Sequence, residues 1–176
     1  TWIQSNTGLP SLRVKSLCRD PSDPNRVFAA CTTGLAMSDD NGRTWVRIGM
    51  AGSEYLNNAE FVLATASDTG TRLLVGSVWP GDGSTLLHYS TGGDYNLIPS
   101  ETPESLTGRI TFIHQNSTRK SRIHCGVEDA VKEGYVWFSN DLGASFTEFM
   151  TFPHYSFETV VPTGMVEHPS DPSLWW

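Results

Sequence analysis

The chain has 176 residues, 12 Lys and Arg against 19 Asp and Glu for a formal net charge of −7, and 38% hydrophobic residues with 16 Gly, 10 Pro and 6 Trp. That is long enough for a packed core, and too apolar and aromatic for a disordered tail. The acidic balance argues against duplex nucleic acid or an anionic membrane as partner, since both demand clustered Lys and Arg.

No run approaches the roughly 18 apolar residues of a spanning helix, and no charged start leads into an apolar run, so membrane insertion and a signal peptide are not expected. A chain beginning at Thr1 reads as processed or excised, which leaves a removed leader open.

In chain order, residues 1–10 read as the last strand of a preceding unit. VKSLCRDPSDPNRVFAAC (14–31) follows as strand, Pro/Asp/Asn turn and strand. A third strand, LAMSD (35–39), enters the segment Ser38 to Trp45, and TWVRIG (44–49) leaves it. The same succession returns as FVLATASDTGTRLLVGSV (61–78), TLLHYS (85–90) and YNLIP (95–99). It returns again as ITFIHQNSTRKSRIHCGV (110–127), YVWFSN (135–140) and SFTEFM (145–150). The chain closes on MVEHPSDPSLWW (165–176), in which Pro169 to Pro172 repeats the PSDP of Pro21 to Pro24. No stretch has helical periodicity, and no linker or second domain interrupts the pattern.

Two octapeptides anchor this repeat, Ser38-Asp39-Asp40-Asn41-Gly42-Arg43-Thr44-Trp45 and Ser139-Asn140-Asp141-Leu142-Gly143-Ala144-Ser145-Phe146. Both fit Ser-x-Asp-x-Gly-x-(Ser/Thr)-aromatic, for which one chance match is expected on the order of once in a few thousand chains of this length. A decayed copy, Ser90 to Leu97, lies almost midway. Four short strands per unit of about 50 residues is the pattern of a propeller blade. These segments resemble the Asp-box, or bacterial neuraminidase, repeats of sialidases, xyloglucanase-type glycosidases, sortilin-type receptors and photosystem II assembly factors. The resemblance implies an all-β propeller of four-stranded antiparallel blades with Asp-box turns. About three and a half blades are expected, at 11–50, 58–100 and 108–152, with 163–176 starting a further one. Since propellers close with four or more blades, the remainder would come from a longer chain or another subunit.

In such a turn the Asp accepts backbone N–H bonds, the Ser hydroxyl adds another, and Gly supplies positive φ. Ser38, Asp40, Gly42, Thr44 and Trp45, with Ser139, Asp141, Gly143, Ser145 and Phe146, are therefore read as structural. The resemblance places such turns on the face away from ligand. The opposite face would carry the connections 50–60, 79–85, 99–108, 128–134 and 151–164. Those loops hold nine acids (Glu54, Glu60, Asp82, Glu101, Glu104, Glu128, Asp129, Glu133 and Glu158) against one base, Lys132, with His154 as a further titratable group. Tyr55, Trp79 and Tyr155 add rings that can stack on sugars, so Tyr55, Trp79, Asp82, Glu128, Asp129 and Tyr155 are the candidate ligand-binding residues. The competing reading is that acidic loops serve only solubility.

A glycosidase needs two carboxylates roughly 5 to 10 Å apart, and Asp82, Glu101, Glu128 and Asp129 are the candidates for that role. The Arg-Ile-Pro segment and the arginine clamp of a sialidase are missing from the expected places. His114 and His124 can face each other across a hairpin, but no third metal ligand is evident, so no metal and no cofactor are expected. Asn116-Ser117-Thr118 is a glycosylation sequon on what reads as an exposed turn. Cys18, Cys31 and Cys125 read as small buried hydrophobes, with a Cys18–Cys31 bridge as the alternative. Trp175 and Trp176 would pack between blades. The expected function is a non-catalytic binding or scaffolding module of an extracellular or particle-surface protein, contacting glycan or protein through its acidic loops. The alternatives are a fragment of a glycoside hydrolase and an architectural subunit of an assembly such as a virion.

Overall fold

The computed structural model of the chain describes residues 5–51, 54–78, 85–90, 93–102, 108–129, 134–152, 162–168 and 171–175. Thr1 and Trp2, Trp79, Asp82, Glu104, Lys132, Glu133, His154, Tyr155, Glu158 and Trp176 lie outside them, and Glu54, Tyr55, Asp129 and Trp175 are placed by their backbone alone. The described residues are all β. In the first sheet β1 (Val14–Arg19), β2 (Val27–Cys31), β3 (Gly34–Ser38) and β4 (Val46–Ile48) follow one another antiparallel. A hairpin, β5 (Met50–Ala51) and β6 (Glu54–Tyr55), precedes the second blade of β7 (Ala59–Ser67), β8 (Gly70–Val78), β9 (Thr85–Ser90) and β10 (Leu97–Pro99). The third blade is β11 (Gly108–Gln115), β12 (Ile123–Asp129), β13 (Gly134–Ser139) and β14 (Thr147–Phe152), and β15 (Glu167–His168) pairs with β16 (Asp171–Trp175).

The chain divides into two compact units, Thr1–Val78 with Leu87–Pro99, and Trp79–Leu86 with Ser100–Trp176. In the first unit two blades stack face to face. Phe28, Ala30 and Leu35 of the first meet Val62, Ala64, Leu73, Val75, Tyr95 and Leu97 of the second in one buried cluster, flanked by Cys18, Met37 and Ile48. The other face of the first blade, Ala29, Cys31 and Ala36, is covered by Leu9 and Trp45. Burial on both faces explains why the middle strand β2 reads as an unbroken apolar run, VFAAC, instead of alternating. Cys18, Cys31 and Cys125 are all free thiols, so the Cys18–Cys31 bridge does not form. Burial raises the Cys18 pKa to about 12, which keeps it a thiol at neutral pH.

In the second unit the register Phe112↔Gly126 lays an aromatic ring across a glycine of the neighbouring strand. A Cβ at position 126 would collide with the Phe112 ring and approach Thr111 Oγ1 to 2.6 Å. The glycine is therefore fixed by its neighbour and not by φ.

One element was not expected from sequence. The segment entering each blade runs parallel to the start of that blade's outermost strand, at Thr7↔Thr44, Leu97↔Ala51 and Glu101↔Ser145. In the second blade this contact grows into the pairing of β5 with β6, so residues 50–51 and 54–55, expected in an open acidic loop, add two strands to the outer edge of the sheet. An outer strand only three residues long leaves backbone groups to satisfy, and the incoming chain supplies the partners.

Gly126→Ala is expected to destabilise by about 1 to 3 kcal/mol, as overpacking of a tight site does. Phe112→Leu in the same chain should recover part of that loss. Urea unfolding of the two single variants and the double variant measures it, and strictly additive losses would contradict the contact.

Candidate functional site

The two octapeptides form the same hydrogen-bonded turn. Asp40 Oδ1 accepts from Ser38 Oγ at 2.7 Å and Thr44 N at 2.8 Å, and Oδ2 accepts from Thr44 Oγ1 at 2.6 Å. Asp141 repeats this with Ser139 Oγ at 2.7 Å, Ser145 N at 2.9 Å and Ser145 Oγ at 2.6 Å. Each Ser hydroxyl in turn accepts from the glycine amide, Gly42 N at 2.8 Å and Gly143 N at 2.9 Å. Two successive residues take positive φ, Asn41 (59°) and Gly42 (89°), then Leu142 (63°) and Gly143 (90°), and only glycine meets that demand without strain. The closing aromatics reach inward. Phe146 is buried, and Trp45 covers Ala29, Cys31 and Ala36 while donating Nε1 to Ser5 O at 3.3 Å.

Three donors on one carboxylate stabilise its ionised form. The Thr44 hydroxyl and amide, with the Ser38 hydroxyl, hold Asp40 well below the usual carboxylate range. For Asp141 burial pushes upward, and the Ser139 and Ser145 hydroxyls with the Ser145 amide outweigh it. The decayed copy keeps the hairpin length, Leu97 pairing with Ser90, but has Gly92 where the octapeptides have their Asp. Ser90 Oγ accepts from Leu73 N at 2.8 Å, and Tyr95, at φ 54°, buries its ring edge-on against Phe28 at 5.3 Å.

The first hairpin of each odd blade docks on its octapeptide, through Asn41 N to Asn25 O at 2.8 Å and Leu142 N to Ser121 O at 3.1 Å. Both turn types therefore share one end of the blade. Asn116 begins the third blade's hairpin turn and is only 2% exposed. Its Oδ1 accepts from Thr118 N, Thr118 Oγ1 and Arg119 N. The turn is exposed over residues 117–121, as expected, but the sequon's Asn116 is itself buried, because a side chain that caps its own turn is drawn inward.

At the other end of the blades the acids expected in loops meet bases from strands. Each inner strand carries an irregularity near its start, at Lys15 in β1, Glu60 in β7 and Thr111 in β11. A bulge re-aims the extra side chain. Lys15 Nζ bonds both carboxylate oxygens of Glu60 at 3.1 Å, and Thr111 Oγ1 donates to Pro162 O. Arg109 Nη2 pairs with Glu128 Oε2 at 3.1 Å across β11 and β12. Two of the nine acids, Glu60 and Glu128, are thus neutralised by strand cations, Lys15 and Arg109, that reach the same end.

Glu101 is a second correction. It was assigned to the loop end, but its amide donates to Ala144 O and its carbonyl accepts from Phe146 N, both at 2.8 Å, beside the Asp141 turn. Glu128 pairs with Gly134 at the far end of β12, whereas Ile123, at the near end, pairs with Ser139. Five strand residues put the two acids on the order of 17 Å apart, beyond the span of a glycosidase pair. Glu128 and Asp129 are consecutive residues at the end of β12. His114 and His124 do stand opposite one another in register, and no group of three metal-ligating residues occurs among the described residues.

This geometry has counterparts among solved structures. A crystal structure of an ancestral GH74 enzyme matches with TM-score 0.67 and 22% identity over 92% of this chain and 20% of that one. The GH74 xyloglucanase from Xanthomonas campestris matches with TM-score 0.63 and 14% identity over 93% of this chain and 26% of its own. YCF48 from Cyanidioschyzon merolae matches with TM-score 0.51 and 15% identity over 81% and 38%. No protein-family model and no curated protein matches the sequence. The fold is that of a β-propeller, present among the described residues as about three four-stranded blades. The chain spans well under half the length of each of these propellers, and at such identities the likeness is one of fold.

A carboxylate with depressed pKa contributes stability that is complete above the unfolded value near about 3.9 and lost as pH falls towards the folded value. The wild-type melting temperature should therefore drop steeply between about pH 5 and pH 2. Asp40→Asn with Asp141→Asn should start lower at pH 7 and slope less through that window, as read by thermal melts across pH.

Proposed function

We propose that the chain is part of a non-catalytic binding module in which the propeller blades present the end opposite the octapeptide turns to a glycan or a protein. The observation that carries this is the separation of the candidate carboxylates. Glu101 lies at the turn end and Glu128 is tied to Arg109 at the other, so these two acids do not flank a common position. Asp82, with Tyr55, Trp79 and Tyr155, belongs to the proposed surface on the sequence argument alone. An extracellular or particle-surface setting, with further blades from a longer chain or another subunit, belongs to the same reading. An architectural role in an assembly is the limiting case in which the partner is protein.

A glycoside hydrolase fragment is the second reading, and what favours it is the overlap with two GH74 enzymes, one of them a xyloglucanase. Incubation of the purified chain with xyloglucan and a panel of other polysaccharides separates the two. Retardation in affinity electrophoresis without release of reducing ends is the expected result, with retention weakened by Glu128→Gln. Turnover that Asp82→Asn or Glu128→Gln abolishes would overturn the binding reading in favour of the hydrolase.

A further inference from the structure

The repeat supplies its own internal control. In the first blade, the hairpin turn from Asp20 to Arg26 is closed by Asp20 N to Arg26 O at 2.9 Å and Arg26 N to Asp23 O at 3.1 Å. In the third blade, Asn116 N to Arg122 O at 2.9 Å and Arg122 N to Arg119 O at 2.8 Å close the same turn. With both turns docked on their octapeptides through equivalent amides, Arg122 occupies the place of Arg26 and Asn140 that of Asp39.

What surrounds the two guanidinium groups is opposite. Arg26 is held by three carboxylates: Asp39 at 2.6 Å, Asp20 at 3.4 Å and Asp23 at 3.8 Å. In the third blade those positions are Asn116, Arg119 and Asn140, and an exposed Lys120 stands next to the exposed Arg119. Every anion that neutralises Arg26 is gone, and a cation replaces one of them. None of the ion pairs among the described residues involves Arg119, Lys120 or Arg122. Arg122 Nε is buried without a hydrogen-bond partner, a costly condition for a charged donor. The guanidinium is nevertheless well placed, lying 4.9 Å over the Phe138 ring, which is itself edge-on to Phe149 at 5.9 Å. Stacking on a ring fixes the plane of the group and, with Nε buried, leaves the terminal Nη donors for a bidentate acceptor.

We propose that the turn end of the third blade is an oxyanion site, in which the Arg122 fork takes two oxygens of a sulfate- or phosphate-like group and Arg119 and Lys120 complete the charge balance. The site is distinct from the surface proposed above, since it lies at the octapeptide end of the blade and uses none of the same residues. The oxyanion comes either as a free ion or as a sulfate ester carried on a glycan.

Thermal shift and calorimetric titration of the chain at constant ionic strength test this with sodium sulfate, sodium phosphate and sodium chloride. A sulfated heparin-derived tetrasaccharide and its desulfated counterpart form the second arm. Saturable stabilisation by sulfate or phosphate but not chloride is expected for a free-ion site, and binding of the sulfated tetrasaccharide alone for an ester site. In either case Arg122→Gln should weaken binding at least about tenfold, the loss of a charge-assisted bond. Should that variant fold poorly, Asn116→Asp with Asn140→Asp keeps Arg122 and restores two of the first blade's carboxylates, and it should also abolish binding. The proposal is overturned if none of the oxyanions binds beyond the chloride and desulfated controls, or if binding survives unchanged in these variants.

Discussion

The bond on which the rest of the structure depends is the one between the third-position carboxylate of the octapeptide and the hydroxyl and amide four residues later. It joins Asp40 to Thr44 and Asp141 to Ser145 with nearly identical distances in both blades. A chain that must take positive φ at two successive residues has little intrinsic reason to do so when one of them is leucine. The charged acceptor supplies that reason. Once the turn is closed, its ends stand at the right distance to start the outer strand, and its aromatic points into the blade. The first hairpin then finds the amide of Asn41 or Leu142 waiting for a carbonyl. Local side-chain chemistry thus sets the register of strands distant in sequence.

The two blades that carry this turn use it differently around their arginines. In the first, Asp20 is buried and accepts from Ser22 N, Thr71 Oγ1 and Arg26, and the phenol of Tyr95 accepts from the same guanidinium. That network reaches from one blade into the next, so the arginine serves as a tie. Bonding to Asp39, assisted by Tyr95 and Asp20, raises its affinity for the proton against the penalty of burial. In the third blade the backbone frame is retained while the polar ring around the arginine has been replaced. A repeat architecture permits this because each blade needs the frame for its fold and is free to vary what the frame presents.

How much of this was legible in the sequence follows from the range of each interaction. The octapeptides were readable because all their bonds fall within eight residues, and the strands because Gly, Pro and Asn punctuate them. The parallel contacts at Thr7, Ala51 and Glu101 were not, since a single bridge leaves no periodic mark on either partner. Glu101 was consequently assigned to the wrong end. Lys15 and Glu60 were separated into a strand residue and a loop residue, whereas a bulge brings them together. Asn116 reads equally well as an acceptor for sugar or for its own turn, and burial alone decides between them. The contrast between Arg26 and Arg122 was present in the aligned repeats, but only the register shows that Asp39, outside the turn, belongs to the comparison.

The parallel contact at the entrance to each blade also bears on the order in which the chain can be assembled. Thr7, Ala51 and Glu101 each wait for a partner that emerges about 40 residues later, which at ribosomal speeds is a delay of roughly two to eight seconds. During that interval the inner strands can pair as hairpins, but the sheet's last edge stays open. Each blade therefore closes from its first strand outwards, and the contact that completes it joins the first residues made to nearly the last. A blade of this construction is synthesised as a line and finished as a loop.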